Sequence, residues 1–478
     1  LVGSEMCIRD RFYIVVVIYF KRTDLMGNLN DTIAAISTAI GEAGIAIVRI
    51  SGDKSIDIID DIFVSANGIK IRDAENRKFL YGHICDEKKQ IDEVLVVKMK
   101  GPHSYTAEDI VEVHCHGGIV SVKRILNLVL SKGARLAERG EFTKRGFLNG
   151  RIDLTQAEAV VDMIKAKTDV SFDMGLNQLG GALSDVLNEL KDELISMQAL
   201  IVANIDFPDE DIENAAYNDL IVRSEKIIGK MDELLENSKN SRLLRDGINT
   251  VILGKPNVGK SSLLNGLLKY DRAIVTDIAG TTRDVIEDYI NLDGVLLKIA
   301  DTAGIRETED EVEKIGVNIA REKLSEADLV IAIFDISREF DSDDKEILNL
   351  IKDKKHIIIL NKDDLEQKIT DAEIEKYFKD DYLRLSVMEN KSVKKVEELI
   401  LDLFFDGELQ ISSDMVLSNL RHINALREAK KDLLEVNESL NKKVFLDLIE
   451  VDLENVIAHI SEITGAITTE DILDRVFS

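Results

Sequence analysis

The chain has 478 residues, 45% of them hydrophobic, which is room for roughly three domains with buried cores. Lys and Arg number 61 against 89 Asp and Glu, and the net charge of −28 excludes a broad grip on a polyanion by phosphate neutralisation. Three cysteines, Cys7, Cys85 and Cys115, exclude a disulfide framework and fit a reducing cytoplasm.

The first segment, "RFYIVVVIYFKR", holds an apolar run from Phe12 to Phe20. A membrane crossing needs about 20 such residues, and no small-residue cleavage site follows. Met26 opens "MGNLNDTIAAI", so residues 1–25 read as a non-native extension and no membrane association is expected. Residues 26–149 alternate short β-rich runs such as "GIAIVRI" and "EVLVVKM" with Gly and Asn turns, with one helical stretch near 118–131, which predicts a small α+β domain. Across 150–246 the period becomes helical: Ala157, Val160, Val161 and Ile164 recur at i, i+3, i+4, i+7. Residues 247–404 alternate strands ("TVILG", "LLKIADTAG", "DLVIAIFD", "HIIILNKDD", "YLRLS") with helical segments, as in a parallel α/β sheet. From 405 to 478 the chain is helical again. Helix before and helix after predict a multidomain chain in which the α/β module is inserted into a helical domain.

The α/β module carries the most specific motif. Gly254 to Ser261 fit G-x-x-x-x-G-K-[ST], following the strand "TVIL" and leading into the helical "SSLLNGLL". Its glycines let backbone N–H groups face a phosphate at a helix N-terminus, Lys260 brings charge to the β- and γ-phosphates, and the Ser261 hydroxyl suits Mg²⁺. "DTAG", Asp301, Thr302, Ala303 and Gly304, ends another buried strand, with Asp301 near the magnesium and the Gly304 N–H near the γ-phosphate. Thr281 and Thr282 in "GTTRD" can reach metal from a switch loop.

Asn361, Lys362 and Asp364 of "NKDD" close the strand "HIIIL". The Asp364 carboxylate can accept the N1–H and 2-amino group of guanine, whereas adenine would leave it unpaired. The nucleotide read from this set is GTP. The hydrolytic apparatus departs from the common pattern, in which Gln follows the switch glycine to orient water; here Ile305 stands there. Glu307, Glu309, Glu311 and Glu313 are candidates for that task, and Arg283 and Arg306 the nearest candidates for an in-cis arginine. Asn257 offers a neutral oxygen near the phosphates that suits a monovalent cation.

From residue 30 to the end, the chain resembles the MnmE (TrmE) family of tRNA-modification GTPases. The resemblance runs through "GIAIVRISG", "SYTAEDIVEVHCHGG", "GEFTKRGFLNGRIDLTQAEAV", "IDFPDEDI", "GKPNVGKSSLLN", "DIAGTTRD", "DTAGIRETEDEVEKIGV" and "SEITGAITTEDIL", in the family's order. It implies an N-terminal α+β domain that dimerises and binds a tetrahydrofolate one-carbon derivative, a helical domain, and an inserted Ras-like P-loop GTPase domain. It also implies a potassium-dependent enzyme that works with a flavin-dependent partner, MnmG, in a heterotetramer, and installs a carboxymethylaminomethyl-type group at C5 of the tRNA wobble uridine.

Residue by residue, the resemblance makes Asn257 and Thr281 side-chain ligands of K⁺, with the backbone of Thr276 and Ile278 completing the site. Ser261 and Thr282 match the Mg²⁺ ligands, and Glu313 the glutamate that orients the attacking water. The GTP-binding set is Asn257, Val258, Gly259, Lys260, Ser261, Ser262, Thr276, Asp277, Ile278, Ala279, Gly280, Thr281, Thr282, Asp301, Thr302, Ala303, Gly304, Asn361, Lys362, Asp364 and Ser386. The folate site maps to Arg49, Glu112 and Arg151, the last standing where lysine is usual, and Ser386-Val387-Met388 stands where Ser-Ala-Lys is common. Family members end in a Cys-x-Gly-x tail; this chain stops at "DILDRVFS", so the expectation is of a missing cysteine tail and of failed tRNA modification without it.

His83, Cys85, His114, Cys115 and His116 lack the paired C-x₂₋₄-C spacing of a zinc site, and "DFPDEDIE" reads as a solvated loop before a helix. A ribosome-assembly or other regulatory GTPase is the alternative, since it would share every nucleotide motif. It would lack the "RISG…SYTAEDIVEVHCHGG" block and would usually bring a basic RNA-binding domain.

Overall fold

A computed structural model describes residues 31–87, 89–206, 210–270, 288–299, 324–378, 382–405 and 417–477. The chain divides into two compact units, one running to Glu158 and taking in Ile457 onward, the other Ala159–Val456.

The first unit is built on a seven-stranded sheet in the order β3-β4-β5-β6-β2-β1-β7. Its strands are β1 (Ile33–Ile36), β2 (Ala43–Ser51), β3 (Phe63–Ser65), β4 (Leu80–Asp86), β5 (Lys89–Met99), β6 (Ile110–Gly117) and β7 (Arg135–Leu136). Period-two alternation sorts the side chains: Ala46, Val48 and Ile50 of β2 and Val111, Val113 and Cys115 of β6 enter the core with α1 (Ser55–Ile62) and α2 (Ile119–Ser131). The opposite face leaves Ile45, Tyr81 and Leu95 exposed. A short helix, α3 (Glu141–Leu148), starts at Gly140, whose left-handed φ of 65° and close approach to the Phe477 backbone leave no room for a Cβ. Arg145 of α3 is fully buried and ion-paired with Asp31, Glu108 and Glu141.

The second unit joins a helical bundle to an α/β domain. The helices from α4 (Leu154–Lys165) onward are α5 (Asp169–Leu179), α6 (Ala182–Asp206) and α7 (Glu210–Asp246). In α6 the buried apolar residues are Leu183, Leu187, Leu190, Leu194, Met197 and Ile201, a four-three repeat that makes one seam. The same repeat buries Tyr217, Leu220, Ser224, Ile227 and Met231 on α7. Hydroxyls in that seam are satisfied locally: Ser238 Oγ donates to Leu235 O at 2.7 Å and Ser241 Oγ to Asn237 O at 3.0 Å.

The α/β sheet has the order β13-β12-β11-β8-β10-β9. Strands β8 (Ile248–Leu253), β10 (Val295–Ile299), β11 (Leu329–Asp335), β12 (His356–Asn361) and β13 (Tyr382–Leu385) pair in parallel, and β9 (Asp288–Leu292) is antiparallel to β10. All of β11 is buried, as a central strand covered on both faces should be. Helices α8 (Lys260–Tyr270), α9 (Ser342–Ile351), α10 (Asp371–Tyr377) and α11 (Asn390–Phe405) complete the domain. The chain then re-enters the bundle through α12 (Leu420–Asn441), where Asn437 Nδ2 donates to Ser224 Oγ of α7 at 2.7 Å and Lys430 pairs with Asp232. Insertion of the α/β domain between α7 and α12 follows from that pairing. After α13 (Leu446–Thr464) the chain is back in the first unit, where the last helix, α14 (Glu470–Phe477), packs Phe477 against Phe147 of α3. Among the described residues, no helix is long and apolar enough to cross a membrane.

Candidate functional site

In a parallel sheet the C-terminal strand ends face the ligand crevice, and the described segments after β8, β11, β12 and β13 meet there. After β8 the loop turns through Gly254 (φ 151°), Asn257 (φ 63°) and Gly259 (φ 111°) into α8. Gly259 is dictated by space as well as by φ: a Cβ there would fall 2.2 Å from Asn361 Nδ2. Asn257 is one of the few residue types that accept a left-handed backbone. Its side chain is exposed, and no hydrogen bond among the described residues ties it down.

Lys260, at the start of α8, donates from Nζ to the Gly254 and Lys255 carbonyls at 2.6 and 2.8 Å. Burial lowers its pKa, and the positive charge of Arg338 lowers it further. Among the described residues the ammonium is thus drawn into the loop with no carboxylate paired to it, an arrangement that an anion would relieve. Ser261 is exposed at the helix start and Ser262 half-buried.

Asn361, at the end of β12, ties the site together. Its Nδ2 donates to Val258 O at 2.6 Å, and its Oδ1 accepts from the Val387 N–H at 3.0 Å, so one amide spans the loops after β8 and β13. Lys362 adopts a left-handed φ of 67°, which returns its Nζ to Asp335 Oδ2 at 2.6 Å. Burial would raise the Asp335 pKa, but hydrogen bonds from Lys362 and Ser337 outweigh it and leave the carboxylate lowered. Asp364 is exposed and Ser386 buried on the loop held by Asn361. The burial that would make Asp364 reject adenine therefore has to come from the base itself.

Motif reading missed Lys255, Arg338 and Asp341. Lys255, the second residue of the phosphate loop, is paired with Asp341, whose carboxyl it holds down to about 2. Arg338 Nη2 reaches Asp344 Oδ1 at 3.2 Å. The only signal in the sequence was "FDSDDKE", a capping box in which Asp341 and Asp344 close the start of α9. Its partner on the phosphate loop lies 86 positions away.

The first unit gathers the other predicted set. Register pairs Arg49 with Glu112 across β2 and β6, and Arg49 Nε donates to Glu112 Oε1 at 2.7 Å. The Arg49 guanidinium lies 5.2 Å from the Tyr105 ring centre, and that of Arg151 lies 4.9 Å from the same ring. Arg151 Nη1 also donates to Tyr105 O at 2.7 Å. Arg49, Glu112 and Arg151 therefore converge around Tyr105, which sequence reading had not singled out.

His114 stands 3.4 Å from Glu112 and edge-on to Phe79, whereas His116 Nδ1 meets Asp92 at 2.7 Å. Cys115 faces the core, where burial first and the Asp92 charge second push its thiol up to about 11. Thr276, Asp277, Ile278, Ala279, Gly280, Thr281, Thr282, Asp301, Thr302, Ala303, Gly304, Glu313 and residues 1–25 lie outside the described residues.

Two family profiles match: "GTP-binding protein TrmE N-terminus" over residues 32–151 and "MnmE helical domain" over 154–478. The chain is 50% identical over 452 residues to the tRNA modification GTPase MnmE of Alkaliphilus metalliredigens, covering 94% of this chain and 98% of that protein. It is 47% identical over 450 residues to the protein of that name from Clostridioides difficile, with the same coverages of 94% and 98%. Among solved structures, Era in complex with MgGDPNP and nucleotides 1506–1542 of 16S ribosomal RNA aligns at 31% identity and a TM-score of 0.26, over 39% of this chain and 66% of that one.

Proposed function

The chain belongs to the MnmE family of tRNA modification GTPases, and from that membership we propose that it uses K⁺-stimulated GTP hydrolysis to drive carboxymethylaminomethyl-type modification at C5 of wobble uridine U34, together with a flavin-dependent partner. One observation supports the GTP reading: the Asn361 amide bonds both the phosphate loop, which leads into Lys260, and the Ser386 loop, and the exposed Asp364 follows three residues after it.

Each implied group has residues that suit it. Mg²⁺ would be held by Ser261 and Thr282, and K⁺ by the Asn257 and Thr281 side chains with the backbone of Thr276 and Ile278. When bound, the two ions would supply positive charge where charge develops on the transferring phosphoryl group. Asn257 suits that role because its amide is exposed and otherwise uncommitted among the described residues. Lys260 leaves its carbonyl partners to meet the β- and γ-phosphates, Gly259 keeps the backbone close to them, and Glu313 orients the attacking water.

The folate derivative fits the first unit. A carboxylate such as Glu112 is the natural acceptor for the paired N–H groups of a pterin, and Arg49 and Arg151 supply charge to its anionic end. The exposed apolar sheet face with Ile45, Tyr81 and Leu95 supports homodimerisation through this unit. The family's work on tRNA supports a cytoplasmic location.

Asp364→Asn is expected to weaken GTP binding and to improve binding of xanthosine triphosphate, because the amide now matches the 2-oxo acceptor. Titration with both nucleotides checks this; an unchanged base preference would remove Asp364 as the reader. For the tRNA step, disrupting the chromosomal copy should strip the C5 group from U34, read by nucleoside mass spectrometry. Retention of the full modification would overturn the assignment.

A further inference from the structure

The polar site around Arg49 and Glu112 continues past Tyr105. On the Arg151 side lies an open cleft of about 470 Å³, lined among others by Arg77, Met99, Pro102, His103, Tyr105 and Arg151. Two guanidiniums flank it, and both are pinned. Arg77 sits at a left-handed φ of 61°, and its Nη2 donates to the His103 carbonyl at 2.6 Å. Arg151 donates to the Tyr105 carbonyl at 2.7 Å.

Among the described residues neither arginine meets a carboxylate; the hydrogen bonds of both guanidiniums go to neutral carbonyls. In a chain of net charge −28, two oriented, unneutralised arginines in one concavity form a site for an anion. The carbonyls they hold are two residues apart, about 7 Å at most along an extended chain. A flexible chain that carries anionic groups in series can meet both guanidiniums at once. Met99 and Pro102 in the lining offer apolar surface for the methylenes between such groups.

We infer that this cleft takes the α-carboxylates of a γ-linked glutamyl tail, so that tail length as well as the pterin ring sets the affinity for the folate. The inference rests on the folate reading of Arg49, Glu112 and Arg151. It adds Arg77, which is exposed and carries no part of the ring site.

The test is calorimetric titration of the full chain with tetrahydrofolate bearing one or five glutamyl residues. The longer form is expected to bind about tenfold tighter, one charge-assisted contact's worth. Arg77→Gln should lose that increment and bind both forms as the wild type binds the shorter one, whereas Arg77→Lys should keep most of it. Equal affinity of the wild type for both forms, or an increment that survives in Arg77→Gln, would overturn the tail site and leave the ring site standing. Binding of neither form would remove both. Displacement of the longer form by inorganic tripolyphosphate at equal concentration would show a general polyanion cleft and overturn the carboxylate assignment.

Discussion

In potassium chloride the chain should hydrolyse GTP on the order of a hundredfold faster than in sodium chloride of equal ionic strength. The expectation comes from what the switch lacks and what the phosphate loop offers. Ile305 follows Gly304 where a water-orienting Gln is common, and the sequence holds no evident in-cis arginine finger, so charge stabilisation as well as water positioning has to come from elsewhere. Asn257 presents an exposed amide on a left-handed turn at the phosphate loop. Its neutral oxygen contributes ion–dipole attraction without a competing negative charge, and a larger, more weakly hydrated cation gives up its water for such an oxygen more readily than sodium does. The measurement is steady-state turnover in the two salts with wild type and Asn257→Ala. Nucleotide affinity should differ little between the salts, because the ion acts on charge that develops only in the transition state. Equal turnover in sodium and potassium would sink the idea.

Replacing Arg145 by Met should destabilise the first unit by about 3–5 kcal/mol. The guanidinium is fully buried, and it donates to the Asp31 carbonyl at 2.9 Å while pairing with Asp31, Glu108 and Glu141. A thioether of similar length fills the space, leaves Glu108 without its arginine, and leaves Asp31 and Glu141 to Arg135 alone. Hydrogen exchange of the full chain reads the effect locally: amides of β1 and α3 should exchange roughly a hundredfold or more faster.

The deficit should also shrink in acid. Burial alone would raise the Glu141 pKa, but hydrogen bonds from Arg135, the Glu138 N–H and Arg145 leave it lowered. A lowered carboxyl contributes stability above its unfolded pKa of about 4 and loses it as pH falls through the folded value. The wild type therefore loses stability on acidification, whereas in Arg145→Met the carboxylates, with only Arg135 left among them, take up protons more readily and the penalty falls. An exchange difference independent of pH would mean that packing, not charge, holds α3.

Much of the chain was legible because the deciding information is local. Phosphate-loop glycines, the "NKDD" strand end and the four-three seam of α6 are each set by residues within one or two turns or one strand of each other, where backbone geometry and burial act on contiguous sequence. The second helical half could be read as helix for the same reason. That it packs on the first half was expected too, from helix on either side of the module; which residues meet was not, since the Asn437–Ser224 bond joins residues 213 positions apart.

By itself the sequence located the phosphate-loop motif and the "NKDD" strand end, and determined that an α/β module interrupts a helical region. Only the tertiary structure decided that Asn361 holds the phosphate loop from 103 positions away, that Lys255 is tied to the start of α9, and that Tyr105 sits between Arg49 and Arg151. The reason is physical. A loop's backbone angles follow from its own glycines, but the partner of a side-chain amide or guanidinium is whichever group sheet order and register bring within about 3 Å, and register is set by burying the whole apolar face at once.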